Sequence, residues 1–277
     1  MTRHILVTVS EQRSAQYSLR FLGHFFSSGK RQLSLTLFID TPKHHLKASE
    51  RSGRPSSSAQ TALREAREEL VRTGFAEEMI DTRTHRQQLS TAMDIIREGE
   101  RGGYDAVALG KGSVSRLEGF FERSTTKEML EKAMRFPLWI CRPPPAASSG
   151  VLLCLDGSAA SYRMTDHVGR MLQLEPEQRI TLFRATDEPG AAKSEPLERG
   201  RSILRSRGIP HESMMTEIAE SGDPGRTIAE KAKRDGHAVV AVGRTGKGAG
   251  LVGELFLGST SMRLYRELNE SALWVCR

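Results

Sequence analysis

The sequence lacks long apolar runs and is poor in cysteine. Its apolar runs, such as Leu35–Ile39, are far too short to cross a bilayer, and the first residues lead directly into a strand-like run without a secretory leader. The three cysteines, Cys141, Cys154 and Cys276, each lie in or at the end of an apolar run. This arrangement fits neither a disulfide framework nor a metal-binding spacing. We therefore expect a globular cytoplasmic protein that does not bind a membrane.

Acidic residues are too few to balance the basic ones, and the formal net charge is +7. Much of the excess lies in the first half, partly in the segment from Thr41 to Gln60, which contains no aromatic residue for base stacking. Specific nucleic-acid binding is therefore not expected, and the charge is explained by solubility or weak attraction of anions.

Four segments of the first half recur in the second half in the same order. The matched pairs are HILVTVS with VLLCLDG, LSLTLFI with ITLFRA, AVALGKG with VVAVGRTG, and FPLWICR with SALWVCR. Such an ordered repeat indicates duplication. We expect two domains, residues 1–142 and 150–277, joined by a Pro/Ala/Ser linker at 143–149.

Strand-like and helix-like patterns alternate within each half. Helices are predicted at Arg13–Phe26, Ala59–Gly74, Thr91–Arg101, Thr125–Met134, Ser158–Leu174 and Gly258–Asn269, and strands at Ser213–Ile218, Ala238–Val242 and Ala272–Cys276. Five strands alternating with helices predict a doubly wound α/β fold, with two tandem parallel sheets in the order 3-2-1-4-5. Ligands of such sheets bind beyond the carboxyl ends of the strands where the order reverses, between the loops that follow strands one and four.

The loop after the fourth strand of the second half is rich in glycine and leads into a helix-like segment that starts with hydroxyl residues. Its glycines include Gly243, Gly246 and Gly248, and Gly258, Ser259 and Thr260 open the helix. Backbone amides of such a loop and a helix start can hold phosphate. Asp156 ends the first strand, where a carboxylate suits ribose hydroxyls or an adenine amino group. Together these groups indicate a nucleotide site.

Each of these residues also has a structural explanation. The glycines could simply form an ordinary turn. Ser259 and Thr260 could cap their own helix, and Asp156 could cap the helix that begins near Ser158. Neither a Walker A loop nor a Rossmann fingerprint is present, because GKGA at 246–249 lacks the Ser or Thr and LDGSAAS lacks the glycine pattern.

These residues resemble the universal stress protein family, and the chain is similar to a tandem member. The ATP-binding members carry G-x2-G-x9-G-[ST] after the fourth strand and an Asp after the first, matched here by Gly243, Gly246, Gly258 and Asp156. Eleven residues rather than nine separate Gly246 from Gly258, and counting nine back from Gly258 reaches Gly248. The resemblance further implies a flavodoxin-like (HUP-like) fold and an adenine pocket lined by Leu155, Ala185 and Val242.

The first half departs from the family pattern. Ser10 stands where the Asp belongs, and Ser113 and Arg123 stand where glycines belong. We therefore expect a degenerate nucleotide site in this half. Because the family dimerises through its last strand, the resemblance implies that the strands around Trp139 and Trp274 pair inside one chain as an internal pseudo-dimer; a further homodimer stays open.

The resemblance implies a stress-response protein that binds ATP, or ADP or AMP, in its second half, with Mg²⁺ as a companion of the phosphates. The nucleotide is expected to act as a regulatory or partner-binding switch for an unidentified protein partner rather than as a substrate, because a phosphoryl-transfer enzyme needs a metal ligand and a group that orients the nucleophile. Two alternatives stay open: a dimerising scaffold without nucleotide, and a slow ATP hydrolase in which Glu254 or Asp156 helps to hold Mg²⁺.

Overall fold

The computed structural model of the protein describes residues 2–11, 16–41, 56–89, 91–110, 136–186, 194–244 and 259–277, with the side chains of residues 92 and 259 left aside. The elements of the first half are β1 (Arg3–Thr8), α1 (Tyr17–Phe25), β2 (Leu33–Thr41), α2 (Ser57–Arg72), β3 (Ile80–Arg86), α3 (Thr91–Arg101), β4 (Ala106–Gly110) and β5 (Leu138–Cys141). Those of the second half are β6 (Ser149–Cys154), α4 (Ala159–Leu172), β7 (Ile180–Thr186), α5 (Glu195–Ser206), β8 (Met214–Glu220), α6 (Pro224–Arg234), β9 (His237–Gly243), α7 (Ser259–Glu267) and β10 (Ala272–Cys276).

The strands form one sheet in the order β3-β2-β1-β4-β5-β10-β9-β6-β7-β8. Each half therefore has the predicted order 3-2-1-4-5, with every described pairing inside a half parallel. The last strands of the two halves, β5 and β10, pair antiparallel. The predicted doubly wound fold and the internal pseudo-dimer are confirmed. The two five-stranded sheets continue into one ten-stranded sheet, because the last strand of each half offers the other an edge to pair with.

Alternate residues of the strands point to two apolar clusters, one on each face of the sheet. Val151 and Leu153 of β6 belong to the cluster under α1, α2, α4 and α5, which we call the first face. Leu152 and Cys154 belong to the cluster under α3, α6 and α7, the second face. Strands buried on both sides explain why the sequence shows continuous apolar runs rather than alternation.

Local sequence signals set the helix boundaries. The Ser158 side chain accepts a hydrogen bond from the Ser161 N–H and caps α4, so the predicted start of this helix is confirmed. Asp223 caps α6 in the same way through the Arg226 N–H, with Pro224 at the first helical position. The predicted strand at Ser213–Ile218 begins one residue later and continues to Glu220. The helix predicted at Thr125–Met134 lies outside the described residues.

Trp139 and Trp274 form the centre of the junction between the two halves. They are registered partners in the β5–β10 pair, and their rings stack at 4.2 Å between centroids with 5° between the planes. Both side chains are fully buried, as expected for interface anchors. Cys141 beside them is buried, and Cys276, at the last position of β10, is half-buried.

His167 of α4 lies over this tryptophan pair. Its Nε2 accepts a hydrogen bond from the Trp139 Nε1–H at 3.0 Å, so the ring is in the tautomer that leaves Nε2 unprotonated. Burial lowers the pKa of His167 to about 3, with smaller contributions from Arg170 and Arg3. The imidazole is therefore neutral in the folded protein at neutral pH and acts there as an acceptor.

Glu175, just after α4, forms a second contact between the halves. Its carboxylate is completely buried and accepts hydrogen bonds from the backbone N–H groups of Ser27, Ser28 and Gly29, at 2.7–3.1 Å, and from the Ser27 hydroxyl at 2.9 Å. Successive amides that point at one anion form a nest. A loop of the first half thus encloses a carboxylate of the second half.

We expect Glu175→Ala to lower the free energy of unfolding by about 3 kcal/mol, because the buried N–H of Gly29 and the part-buried N–H groups of Ser27 and Ser28 lose their charged acceptor. Chemical denaturation monitored by tryptophan fluorescence measures this loss. Glu177→Ala is the matched control, since Glu177 is exposed in the same loop and its removal should change stability by about 0.5 kcal/mol or less. Equal stability of the two variants would contradict the role given to Glu175.

We expect His167→Phe to make stability less dependent on pH. In the wild type the unfolded chain takes up a proton at His167 below about pH 6.5 and the folded chain does not, so stability is fully present above that pH and falls as pH decreases towards 3, by at most about 1.4 kcal/mol per pH unit. Phenylalanine removes this contribution but costs about 1 kcal/mol at pH 7, because the Trp139 N–H loses its acceptor. Urea denaturation at several pH values tests it, and parallel curves for the two proteins would refute it.

Candidate functional site

The reversal of strand order in the second half lies between β6 and β9. These strands run parallel, and Cys154 of β6 is in register with Val242 of β9. The residues that follow Cys154 therefore lie next to Gly243, the last residue of β9. The structure brings the predicted Asp156 and Gly243 to the same edge of the sheet, which is where doubly wound folds place their ligands.

Asp156 is exposed at this edge and shapes the turn that enters α4. Its Oδ1 accepts a hydrogen bond from the Ser158 N–H at 3.0 Å, and the intervening Gly157 has φ +82°. The cap of α4 itself is Ser158, so Asp156 supports the turn and is not the helix cap that the structural explanation supposed. Its carboxylate stands where solvent, or a ligand, reaches it.

Gly243 is held by close packing rather than by an unusual backbone angle. A Cβ atom at this position would lie 2.2 Å from the Ser161 nitrogen and 2.5 Å from the carbonyl carbon of Ala160. Both atoms belong to the first turn of α4, so any larger residue would push β9 and the helix start apart. This packing explains why position 243 requires glycine, a structural requirement that the sequence motif did not reveal.

The three apolar residues predicted to line an adenine pocket do not share one surface. Val242 and Ala185 lie on the second face of the sheet. Leu155 is 2% exposed on the first face, where it packs against Gly200 of α5. Sequence reasoning missed Ala219, which is in register with Ala185 and lies on the same face. The predicted strand at Ser213–Ile218 stopped one residue short of it.

The helix predicted at Gly258–Asn269 is described from Ser259 to Glu267. Thr260 is half-buried in its first turn, and Ser261 is 2% exposed. Because crossover helices start at the carboxyl edge of the sheet, the N–H groups of this turn belong to the same edge as Asp156. Gly246, Gly248, Gly258 and Glu254 lie outside the described residues.

Ion pairs fix the elements around this edge. Arg263 of α7 contacts Asp223, the cap of α6, at 2.6 Å and Glu267 at 2.7 Å. The Arg244 N–H donates a hydrogen bond to the Cys276 carbonyl at 2.6 Å and extends the contact between β9 and β10 by one residue.

The corresponding site residues of the first half are described only in part. Ser10 is half-buried, and Ser113 and Arg123 lie outside the described residues.

Comparison with solved structures identifies the architecture. A universal stress protein from Archaeoglobus fulgidus DSM 4304 matches 99% of this chain and 96% of its own length, with a TM-score of 0.69 and 16% identity. The chain has the tandem universal stress protein fold. The predicted resemblance is thereby confirmed for the fold.

Two Pseudomonas aeruginosa structures share this fold over 99% of the chain. One is a functionally unknown protein of strain PAO1 (TM-score 0.55, 18% identity, 92% of its length), and the other is a putative universal stress protein of strain UCBPP-PA14 (TM-score 0.52, 16% identity, 93% of its length). Neither a family model nor a curated protein sequence matches this universal stress protein-like chain. Among the described residues, no helix is both long and apolar enough to cross a membrane.

We expect Gly243→Ala to lower the free energy of unfolding by about 1–3 kcal/mol, because its methyl group would overlap backbone atoms that cannot move independently. Gly222→Ala is the control, since a Cβ there meets nothing within 4 Å. Thermal and denaturant unfolding of both variants measure the difference. If Gly243→Ala is as stable as the control, Gly243 is not required by packing.

Proposed function

We propose that the second half binds an adenine nucleotide, ATP foremost, at the carboxyl edge of β6 and β9, and that the protein is a cytoplasmic stress-response protein of the universal stress protein family. The observation that carries the proposal is the register of Cys154 with Val242, which sets Asp156 beside the end of β9. The helix α7 follows β9 along the chain and, as a crossover helix, starts at the same edge of the sheet. A carboxylate for the nucleoside and helix N–H groups for the phosphates then belong to one edge.

The apolar contribution to this site rests on Ala185, Ala219 and Val242. These small residues share the second face at the ends of three strands, and small side chains leave room for a planar base. Leu155, packed against Gly200, acts by supporting the turn of Asp156. The phosphates are bound by the glycine loop and the start of α7, as the family pattern implies, with Mg²⁺ as a companion ion. The residues assigned to them are Gly246, Gly248, Gly258, Ser259 and Thr260.

The bound nucleotide serves as a switch rather than as a substrate. A ligand that orders a loop shifts the balance between conformations or between partners by its differential affinity for them. Phosphoryl transfer would require a held metal and a group that orients the attacking water, and Asp156 is the one carboxylate that we assign to the site. We propose that the domains are residues 1–142 and 150–277, with only the second carrying the nucleotide.

We expect Asp156→Asn to weaken ATP binding by roughly tenfold to a hundredfold, the loss of one hydrogen bond to a charged group. The amide oxygen can still accept the Ser158 N–H, so the turn is kept and the effect reports on the ligand. Isothermal titration calorimetry with ATP, ADP and AMP measures the affinities. Ser10→Ala, at the corresponding strand end of the first half, is the control and should bind as the wild type does.

Mass spectrometry of the denatured, freshly purified protein provides a second readout. Carried-over adenine nucleotide is expected from the wild type and not from Asp156→Asn. No nucleotide and no calorimetric binding by the wild type would favour the dimerising scaffold. Steady release of ADP that is abolished by Asp156→Ala would instead favour the slow ATP hydrolase.

A further inference from the structure

A cluster of potential metal ligands lies in the first half, at the carboxyl ends of β2 and β3. Asp40 of β2 and His85 of β3 are registered partners in neighbouring parallel strands. Asp94 lies in the first turn of α3, which follows β3. One ligand atom from each of the three side chains lies within 4.8 Å of the others. Three separate elements thus aim a nitrogen and two carboxylate oxygens at one point.

The geometry suits a small divalent cation. His85 Nε2 is 3.6 Å from Asp94 Oδ1. Ligand atoms at about 2.0–2.2 Å from a tetrahedral Zn²⁺ ion stand about 3.3–3.6 Å apart, so this pair needs almost no adjustment. The Asp94 side chain is 1% exposed and that of His85 is 30% exposed, which gives one buried anchor and one side open to an entering ion.

Asp94 is fixed in place by its second oxygen. Oδ2 accepts the N–H groups of Gln88 and Leu89, at 2.8 and 3.2 Å, in the turn between β3 and α3. This bonding holds Oδ1 towards His85. Hydrogen bonds that orient a ligand in this way are typical of the outer shell of metal sites.

The other two side chains contribute polar atoms that are shielded from water and that, apart from the Thr91 hydroxyl beside Asp40, have no hydrogen-bond partner in the described part of the chain. These atoms are both carboxylate oxygens of Asp40 and Nε2 of His85. Burial raises the pKa of Asp40; the nearby Thr91 hydroxyl lowers it, and the charge of Asp94 raises it further. Two carboxylates held together away from water are unfavourable unless a cation compensates them.

The second half of the chain provides an internal comparison. Each half has a seven-pair ladder between its second and third strands, and the sixth pair is Asp40–His85 in one and Ala185–Ala219 in the other. The cluster is therefore not a requirement of the fold, because the same position is apolar in the second half. It is a feature that the first half alone possesses.

We propose that Asp40, His85 and Asp94 form a binding site for one divalent transition-metal ion in the first half of the chain. A set of one imidazole and two carboxylates is within the range that Zn²⁺ and Mn²⁺ accept, and three protein ligands leave a position for water or an added ligand. The site is independent of the nucleotide proposed for the second half.

The test is equilibrium dialysis of the full-length, tag-free protein against Zn²⁺ without nucleotide, with excess Mg²⁺ as a competitor and with Mn²⁺ in a parallel series. The wild type is expected to retain one Zn²⁺ per chain and to melt at a higher temperature with the ion. The double variant Asp40→Ala/His85→Ala introduces the residues that the second half has at these positions, so it should fold, and it is expected to lose this site.

His211→Ala is the matched control, since His211 is exposed and outside the cluster, and it should bind as the wild type does. If the double variant fails to fold, the near-isosteric Asp40→Asn/His85→Gln takes its place. Equal Zn²⁺ affinity and stoichiometry in wild type and double variant would overturn the proposal, as would an absence of binding to the wild type. In the latter case the cluster is a structural contact between His85 and Asp94.

Discussion

The antiparallel pairing of β5 with β10 is the contact on which the rest of the structure depends. It turns two five-stranded sheets into one, and it buries Trp139 against Trp274 at 4.2 Å in the middle of the first face. Without a partner each half would expose a strand edge and an indole. The two halves therefore stabilise each other through this contact. The Glu175 carboxylate, bound by backbone N–H groups of the first half, provides a second, polar contact between them.

One ion pair between a strand and a helix has exchanged its charges between the two halves. Glu217 of β8 pairs with Lys231 of α6, whereas Arg83 of β3 pairs with Glu98 of α3, so the same strand–helix contact carries opposite signs in the two halves. Exchange of both charges preserves the attraction, and exchange of one would leave like charges together. Both halves therefore have an attractive contact between a second-face helix and the sheet at this position, although the residues differ.

Much of the fold was predictable from the sequence because it depends on periodicity and on local signals. The apolar run at Ala238–Val242 predicted a strand, and Ser158 marked the start of α4. The site was less predictable, since it depends on which face a residue occupies. Leu155 lies one residue beyond β6 on the face opposite Val242, and Ala219 lies in the exposed edge strand β8 whose end the weak pattern did not reach. Neither fact is encoded in spacing along the chain.

The cluster of Asp40, His85 and Asp94 could not be predicted from the sequence for the same reason. Its members are separated by 45 and nine positions along the chain, and they come together only through the register of β2 with β3 and the first turn of α3. Under the two proposals, one scaffold would support two chemistries. The core below the strand ends is apolar in both halves and fixes the backbone, so the residues at the carboxyl edge are free to change. Alanines at Ala185 and Ala219 leave space at that edge in one half, and charged ligand groups fill the equivalent space in the other. The duplicated sheet therefore constrains where a site forms, and the few side chains at its edge determine what the site binds.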